Sequence, residues 1–267
     1  MFKPIVNLFL PKQKNRKLNL FYAMTRGPRS NQEDCLLVNG KIYQENYICQ
    51  NELDIKKDFL LVAICDGMGG LKAGEQASFF VSEQLLNLFR LVTQTTETYL
   101  TDTLKTIQKQ TESCLLPESG TTLAGLIYQK RSIMVFNVGD SRIYRLDKQG
   151  IRYISHDHSF VQRLLDTGII NQEEAFVHPA KNIIHFGMGP IFSDLWDKFE
   201  VTLFKEICKP PLYYLLCSDG VNDVLRDEEI YNILMPNPIQ NAPLLLQNIA
   251  DRGYKDNTSF IIVEILD

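Results

Sequence analysis

Acidic residues stand at the ends of the most apolar segments of this 267-residue chain. Each acid either follows an apolar run or precedes one. The six acids are Glu33, Asp34, Asp66, Asp140, Asp219 and Asp256. Because neighbouring strands of an antiparallel sheet end and begin at the same edge, we expect all six to meet at one sheet edge. So many carboxylates can stay ionised together in a partly buried place only beside a compensating positive charge.

Divalent metal ions are the natural source of that charge. An all-oxygen ligand set suits Mg²⁺ or Mn²⁺, whereas Zn²⁺ prefers His and Cys. A competing interpretation is turn formation, because Asp66 and Asp219 each precede a glycine and Asp-Gly is a common turn dipeptide. Turn formation accounts for each acid singly. It does not explain why acids flank the most apolar segments, or why Arg29 stands five residues before Asp34.

Compact or alternating apolar runs predict the strands that would position these acids. The predicted strands are 18–25, 35–39, 59–65, 121–128, 133–138, 143–146, 212–217 and 259–265. Amphipathic patterns predict two long helices between the third and fourth strands and three shorter ones later in the chain. The predicted helices are 74–92, 98–115, 158–167, 227–234 and 242–252. Segment 171–196 mixes Pro, Gly and His with apolar residues, which predicts an irregular, mobile lid.

Composition sets limits on the class of protein. The chain has 28 Lys and Arg against 32 Asp and Glu, a net charge of −4 that argues against a nucleic-acid partner. The six cysteines form no C-x-x-C pair, which favours free thiols and a cytoplasmic location. The longest apolar runs, 59–65 and 212–217, are far shorter than the ~20 residues of a membrane span. We expect residues 1–17 to form a short extension or edge strand, followed by one domain at 18–267.

Seven motifs, in order, resemble those of the PP2C (PPM) family of metal-dependent protein serine/threonine phosphatases. They are RSNQED (29–34), VAICDGMGG with GEQAS (62–78), SGTT (119–122), NVGDSR (137–142), DHS (157–159), CSDGVND (217–223) and DNT (256–258). Each motif is weak alone, but together they cover the chain from about residue 20 to its end. Animal members carry a His where this chain has Met68, so the resemblance is to the bacterial type.

The resemblance implies an α+β fold, a four-layer α-β-β-α sandwich of two antiparallel sheets flanked by helix pairs. It also implies hydrolysis of phosphoserine and phosphothreonine in proteins by a hydroxide that bridges two divalent cations, Mn²⁺ or Mg²⁺. The alternative is a catalytically silent regulatory module of the same fold that binds phosphoproteins or partners. A silent member should have lost one or more metal acids, and this chain retains them all, which favours the enzyme. The retained acids are Glu33, Asp66, Asp219 and Asp256.

Position by position, the resemblance also implies the metal ligands. Asp66, a catalytic residue, would bridge the two ions. Glu33 and the carbonyl of Gly67 would complete the protein ligands of one ion, and Asp219 and Asp256 those of the other.

Two further catalytic residues and a third cation follow from the same resemblance. Arg29 would bind the substrate phosphate through its two-pronged guanidinium, and Asp34 would orient a metal-bound water. Asp140, Asp219 and Asp223 match the acids that hold a third, weaker ion in bacterial relatives. The implied partners are phosphorylated proteins that a serine/threonine kinase has modified. We expect the protein to be a monomer.

Other reaction classes lack their required residues. No cysteine is followed by the C-x₅-R arrangement of tyrosine phosphatases. Glu75 and Gln76 stand where a phosphate-binding P-loop needs Lys and Ser or Thr. The pair His156 and His158 could chelate zinc, but a local structural role is the better interpretation.

Overall fold

Two antiparallel sheets and the helices on their outer faces make up the fold. The computed structural model describes residues 17–54, 59–69, 73–89, 95–129 and 131–266. The strands are β1 (Lys17–Thr25), β2 (Asp34–Val38), β3 (Lys41–Tyr43), β4 (Tyr47–Asp54), β5 (Phe59–Met68), β6 (Gly120–Thr121), β7 (Leu123–Gln129), β8 (Ser132–Val138), β9 (Arg142–Asp147), β10 (Gly150–Tyr153), β11 (Thr202–Ile207), β12 (Leu212–Cys217) and β13 (Thr258–Leu266). The helices are α1 (Ala73–Phe89), α2 (Glu97–Cys114), α3 (Phe160–Asp166), α4 (Gln172–Phe176), α5 (Asp219–Asn222), α6 (Asp227–Leu234) and α7 (Pro238–Arg252), with a 3-10 helix at Pro190–Leu195.

The strand order brings distant parts of the chain to a common edge. One sheet has the order β10-β9-β12-β13-β1-β4 and the other the order β11-β8-β7-β5-β2-β3, with β6 paired to β5. The paired strands run antiparallel. In the β2–β5 ladder, Asp34 at the start of one strand lies directly opposite Asp66 near the end of the other. The register therefore brings together two of the six strand-end acids, Asp34 and Asp66.

Alternating side chains divide the core into layers. In β13, Ile261, Val263 and Ile265 lie in the apolar cluster between the two sheets. Phe260 and Ile262, on the other face of the strand, pack with the cluster that contains α6 and α7. A third cluster joins the outer face of the second sheet to α1 and α2. The fold is therefore a four-layer α-β-β-α sandwich, and the predicted fold class is confirmed.

All eight predicted strands are present, with predicted strand 121–128 divided between β6 and β7, and four further strands were not predicted. These four are β3, β4, β10 and β11, which lie at the ends of the two sheets. Interior strands are buried on both faces, so their sequences are continuous apolar runs. Edge strands carry many polar residues and lack that signal.

The helices differ from the sequence pattern mainly at their ends. Helix α6 matches its predicted range, whereas α7 begins at Pro238, four residues before the predicted start, and contains Pro243. The predicted irregular segment 171–196 holds the short helix α4, whose capping box joins Asn171 and Glu174. Among the described helices, none has the length and apolar character that crossing a bilayer requires. The predicted N-terminal extension, apart from Lys17, lies outside the described residues.

Candidate active site

Asp34 has a buried carboxyl group, and one of its two oxygens lacks a hydrogen-bond partner within the described part of the chain. Its side chain is 0% exposed, and Oδ2 accepts a hydrogen bond of 2.9 Å from Ser218 Oγ. Oδ1 is buried and has no hydrogen-bond partner of normal geometry among the described residues. Burial, the largest effect, raises the pKa of Asp34 to about 6. A buried polar atom without a partner is costly, so Oδ1 is suited to receive a hydrogen bond from a ligand or water.

Two threonines fix the backbone of Asp66. Thr122 Oγ1 accepts the Asp66 N–H at 3.0 Å, and the Thr122 N–H donates to the Asp66 carbonyl at 2.8 Å. Thr121 Oγ1 donates to the same carbonyl at 2.9 Å. The SGTT motif therefore holds the main chain of Asp66 at the sheet edge, and the carboxylate is not needed for that purpose.

The carboxyls of Asp66 and Asp219 resist ionisation. Burial raises the pKa of both well above the usual range, and neighbouring acids raise it further. For Asp66 the acids are Asp34, Asp219, Asp140 and Asp256, in decreasing order of effect. Because these acids raise the pKa of one another, a cation placed among them would be stabilised.

Gly67 allows helix α1 to approach the site closely. A Cβ atom at this position would lie 2.1 Å from the carbonyl oxygen of Gly74 in α1, so any other residue would clash. The Gly67 N–H donates to the Glu33 carbonyl at 3.1 Å, and Ser78 Oγ of α1 donates to it at 2.5 Å. Burial raises the pKa of the Glu33 carboxyl, while Arg29 opposes that shift. Glycine here is thus a steric requirement of the site.

Asn257 joins the loop that carries Arg29 and Glu33 to the start of β13. Its Oδ1 accepts the Glu33 N–H at 2.7 Å. Its Nδ2 donates to the carbonyls of Arg26 at 2.8 Å and Asn31 at 3.0 Å. Asn257 belongs to the DNT motif, but the sequence pattern indicates no separate role for it. Its position between Asp256 and the loop makes it a positioning residue.

Arg29 lies at the rim of the site. Its side chain is 52% exposed, and its guanidinium forms an ion pair with Asp256. Asp256 and Glu33 both act on Arg29 electrostatically. The predicted phosphate-binding cation therefore lies beside the predicted metal acids and is accessible to substrate.

A cavity of about 300 Å³ extends from the proposed third metal site to α4. Asp140, Asp219 and Asp223 line it together with Lys181. Lys181, which belongs to the segment predicted as a lid, places its Nζ 2.7 Å from Asp223 Oδ2. Burial, followed by the charge of Asp157, raises the pKa of Asp140 to about 7. The lid segment therefore reaches the acids, an arrangement that the sequence pattern did not reveal.

The described residues contain no group of three ligating side chains already at metal-binding distances. The acidic side chains repel one another. Arg29 forms an ion pair with Asp256, and Lys181 forms one with Asp223.

Two observations nevertheless fit a metal centre. Burial and neighbouring acids raise the pKa of Asp66 and Asp219, which fits a divalent cation, and the unpartnered Oδ1 of Asp34 fits a water molecule beside it. The all-oxygen donor set fits Mn²⁺ or Mg²⁺.

The nearby thiols and the imidazole of His158 are not suited to an alternative reaction or to zinc binding. Burial raises the pKa of the Cys35 thiol to about 12 and raises that of Cys65 further, so neither is a ready nucleophile. His158 Nδ1 accepts the Gly139 N–H at 3.1 Å, and Nε2 lies 3.1 Å from the Glu200 carbonyl. Both ring nitrogens of His158 therefore serve the local structure, which supports that interpretation over a zinc site.

Comparison with known proteins decides the family. The family model for protein phosphatase 2C matches residues 41–241. The chain belongs to the protein phosphatase 2C family. A serine/threonine phosphatase, stp, from Listeria welshimeri is 32% identical over 237 residues, covering 84% of this chain and 92% of that protein. The crystal structure of the phosphatase Stp1 from Staphylococcus aureus matches this PP2C chain with a TM-score of 0.78 and 32% identity, covering 93% of this chain and 95% of that one.

A second solved structure bears on the metal acids. The catalytic domain of the phosphatase PstP, crystallised with two manganese ions, has a TM-score of 0.69 and 29% identity to this PP2C chain. It covers 94% of this chain and 100% of that one. Both solved structures therefore match this chain over more than nine tenths of its length.

Proposed function

We propose that this PP2C-family protein hydrolyses phosphoserine and phosphothreonine in proteins and needs Mn²⁺ or Mg²⁺. The observation that carries the proposal is the convergence of strand-end acids on one sheet edge, around Asp34 and Asp66. The named serine/threonine phosphatases among its relatives support the same activity. A silent regulatory module is the weaker interpretation, because Glu33, Asp66, Asp219 and Asp256 are all present.

Five residues would hold two divalent cations. Asp66 would be shared, Glu33 and the Gly67 carbonyl would complete one protein ligand set, and Asp219 and Asp256 the other. When bound, such cations supply positive charge that polarises the phosphate and acidifies water. The manganese ions of the PstP structure support this choice of metal.

The residues around the metal acids have separate tasks. Arg29 binds two phosphate oxygens through its guanidinium, for which it must leave its ion pair with Asp256. Asp34 orients the attacking water by accepting its hydrogen bond at Oδ1, while Ser218 holds Oδ2. Water that is held in line with the phosphorus reacts faster because less orientational freedom is lost at the transition state.

A third, weaker cation would bind at Asp140, Asp219 and Asp223. Lys181 now balances the charge of Asp223, so this cation would have to displace the Lys181 ammonium group. The competition between the two accounts for a weaker site.

The physiological setting can be proposed in outline. The substrates are phosphoproteins, and we extend this to the products of a serine/threonine kinase. The enzyme acts as a monomer through a catalytic domain at 18–267. The pattern of six cysteines without a C-x-x-C pair supports a cytoplasmic location. The net charge of −4 does not favour a nucleic-acid partner.

Arg29→Ala should raise KM for phosphopeptides and aryl phosphates about tenfold, with a smaller change in kcat. The reason is that Arg29 contacts the phosphate in both the ground state and the transition state. Steady-state kinetics at saturating Mn²⁺ measures both constants. Arg131→Ala, on an exposed turn, is the matched control. An unchanged kcat/KM in Arg29→Ala would show that another cation binds the phosphate.

The proposed activity is tested by phosphate release from three peptides that differ only in phosphoserine, phosphothreonine or phosphotyrosine. We expect Mn²⁺-dependent release from the first two at rates well above that from the third. Release from phosphotyrosine alone, or from none of the peptides, would contradict the proposal.

A further inference from the structure

Two adjacent phenylalanines of α1 lie away from the core. The core-facing side of this helix carries Ala77, Val81 and Leu85 at helical spacing. Phe79 is 41% exposed and Phe80 is half-buried. Neither ring belongs to the apolar clusters formed by the described residues. Exposed aromatic rings side by side on an otherwise polar helix face are typical of an interaction surface.

These rings line a groove between α1 and the end of α2. Its volume is about 380 Å³, and its apolar lining residues are Phe79, Phe80 and Leu115. Glu75 and Glu83 also line it, and no basic side chain is among its described lining residues. A groove lined by apolar and acidic side chains is complementary to a segment that carries apolar and basic side chains.

The groove lies close to the loop that carries Glu33. Gln44, which also lines it, donates from Nε2 to the Glu75 carbonyl at 2.9 Å and to Ser78 Oγ at 3.0 Å. Ser78 Oγ in turn donates to the Glu33 carbonyl at 2.5 Å. Two hydrogen bonds through the buried Ser78 therefore connect Gln44 to the backbone of Glu33. After burial, Arg29 and Asp256, the charge of Glu75 also acts on the Glu33 carboxyl and raises its pKa, so the groove lies near a proposed metal ligand. A polypeptide whose phosphorylated residue occupies the active site is then within reach of the groove.

We propose that this groove binds the substrate polypeptide beside its phosphorylated residue and selects for an apolar residue next to a Lys or Arg. The apolar side chain packs against Phe79, Phe80 and Leu115, and the basic one lies at Glu75 and Glu83. This assignment rests on the proposed phosphatase function. It is independent of the lid segment, which lies at the cavity lined by Asp223.

A phosphothreonine peptide library tests the groove. Each position flanking the phosphothreonine is in turn Leu, Lys, Glu or Ser, and an aryl phosphate serves as the reference substrate. For the wild type we expect the highest kcat/KM where Leu and Lys are adjacent on one side. In Phe79→Ser the ratio of kcat/KM for that peptide over aryl phosphate should fall about tenfold, since loss of a buried phenyl contact is of that order.

Two further variants make the result decisive. Glu83→Gln should reduce the preference for Lys and leave the preference for Leu. Leu244→Ser, which removes a 53% exposed apolar residue of α7, is the matched control and should keep both preferences. A Phe79→Ser variant that keeps the wild-type preference would overturn the proposal.

Other outcomes separate the competing explanations. If Phe79→Ser abolished a dimer seen by sedimentation and left peptide preference unchanged, the groove would bind a second copy and the proposal would be wrong. An active wild type without any flanking preference would overturn the groove assignment alone. A wild type that hydrolysed no phosphoester with Mn²⁺ would overturn the proposed function as well.

Discussion

Asp66→Asn is expected to reduce kcat at least about a thousandfold while the protein stays folded. The substitution removes the charge that the two proposed cations share, and stabilisation of that kind contributes most of the rate in metal-assisted hydrolysis. Asn has the same shape, and the backbone bonds from Thr121 and Thr122 remain available. Aryl phosphate hydrolysis with saturating Mn²⁺ measures the change. Asp102→Asn, at an exposed position of α2, is the matched control.

The same variant makes a distinct prediction for stability. The pKa of Asp66 is raised in the folded state, so its ionised form destabilises the fold at neutral pH. A neutral Asn removes that repulsion, and in EDTA the Tm of Asp66→Asn should equal or exceed that of the wild type. Near-normal Mn²⁺-dependent activity would contradict the role of Asp66 as a metal ligand. A large loss of Tm in EDTA would contradict the expected repulsion between Asp66 and the neighbouring acids.

Asn257→Ala is expected to lower kcat/KM about a hundredfold, although Asn257 touches neither substrate nor proposed metal. The side chain is 3% exposed, and its three hydrogen bonds hold the loop that carries Arg29 and Glu33. Displacement of catalytic groups by about 1 Å can cost this much. The Mn²⁺ concentration at half-maximal activity should also rise, because Glu33 is no longer fixed.

The Mn²⁺ concentration at half-maximal activity shows whether Asn257 positions the metal ligands or only supports the fold. The matched control is Asn241→Ala, since Asn241 Nδ2 donates to the Leu234 carbonyl at 3.0 Å far from the acids. Both variants should lose Tm, but Asn241→Ala should keep the wild-type Mn²⁺ requirement. If the two variants required the same Mn²⁺ concentration, Asn257 would be only a structural residue.

The sequence predicts the interior of the sandwich better than its borders. A strand such as β5 is buried on both faces, so Leu60, Val62 and Ile64 serve one layer and Leu61 and Ala63 the other. This produces a continuous apolar run that can be recognised. An edge strand such as β11 has a solvated side, and its polar residues hide it.

The residues of the candidate site likewise differ in how well the sequence predicts them. Strand-end acids can be predicted because the position of an acid relative to an apolar run is a local property of the sequence. Asn257, Thr122 and Lys181 act on residues that are far away in the chain, and no local pattern reports such contacts. The capping box of Asn171 with Glu174 was a visible local signal and would have predicted helix α4.

Manganese anomalous scattering from crystals soaked in Mn²⁺ tests the central claim most directly. The account predicts two anomalous peaks that share the Asp66 carboxylate, one of them next to Glu33 and Gly67 and the other next to Asp219 and Asp256. Crystals of Asp66→Asn should lose or weaken both peaks. Peaks confined to other parts of the surface, in crystals of a protein whose hydrolysis depends on Mn²⁺, would contradict the assignment of these acids as the metal centre.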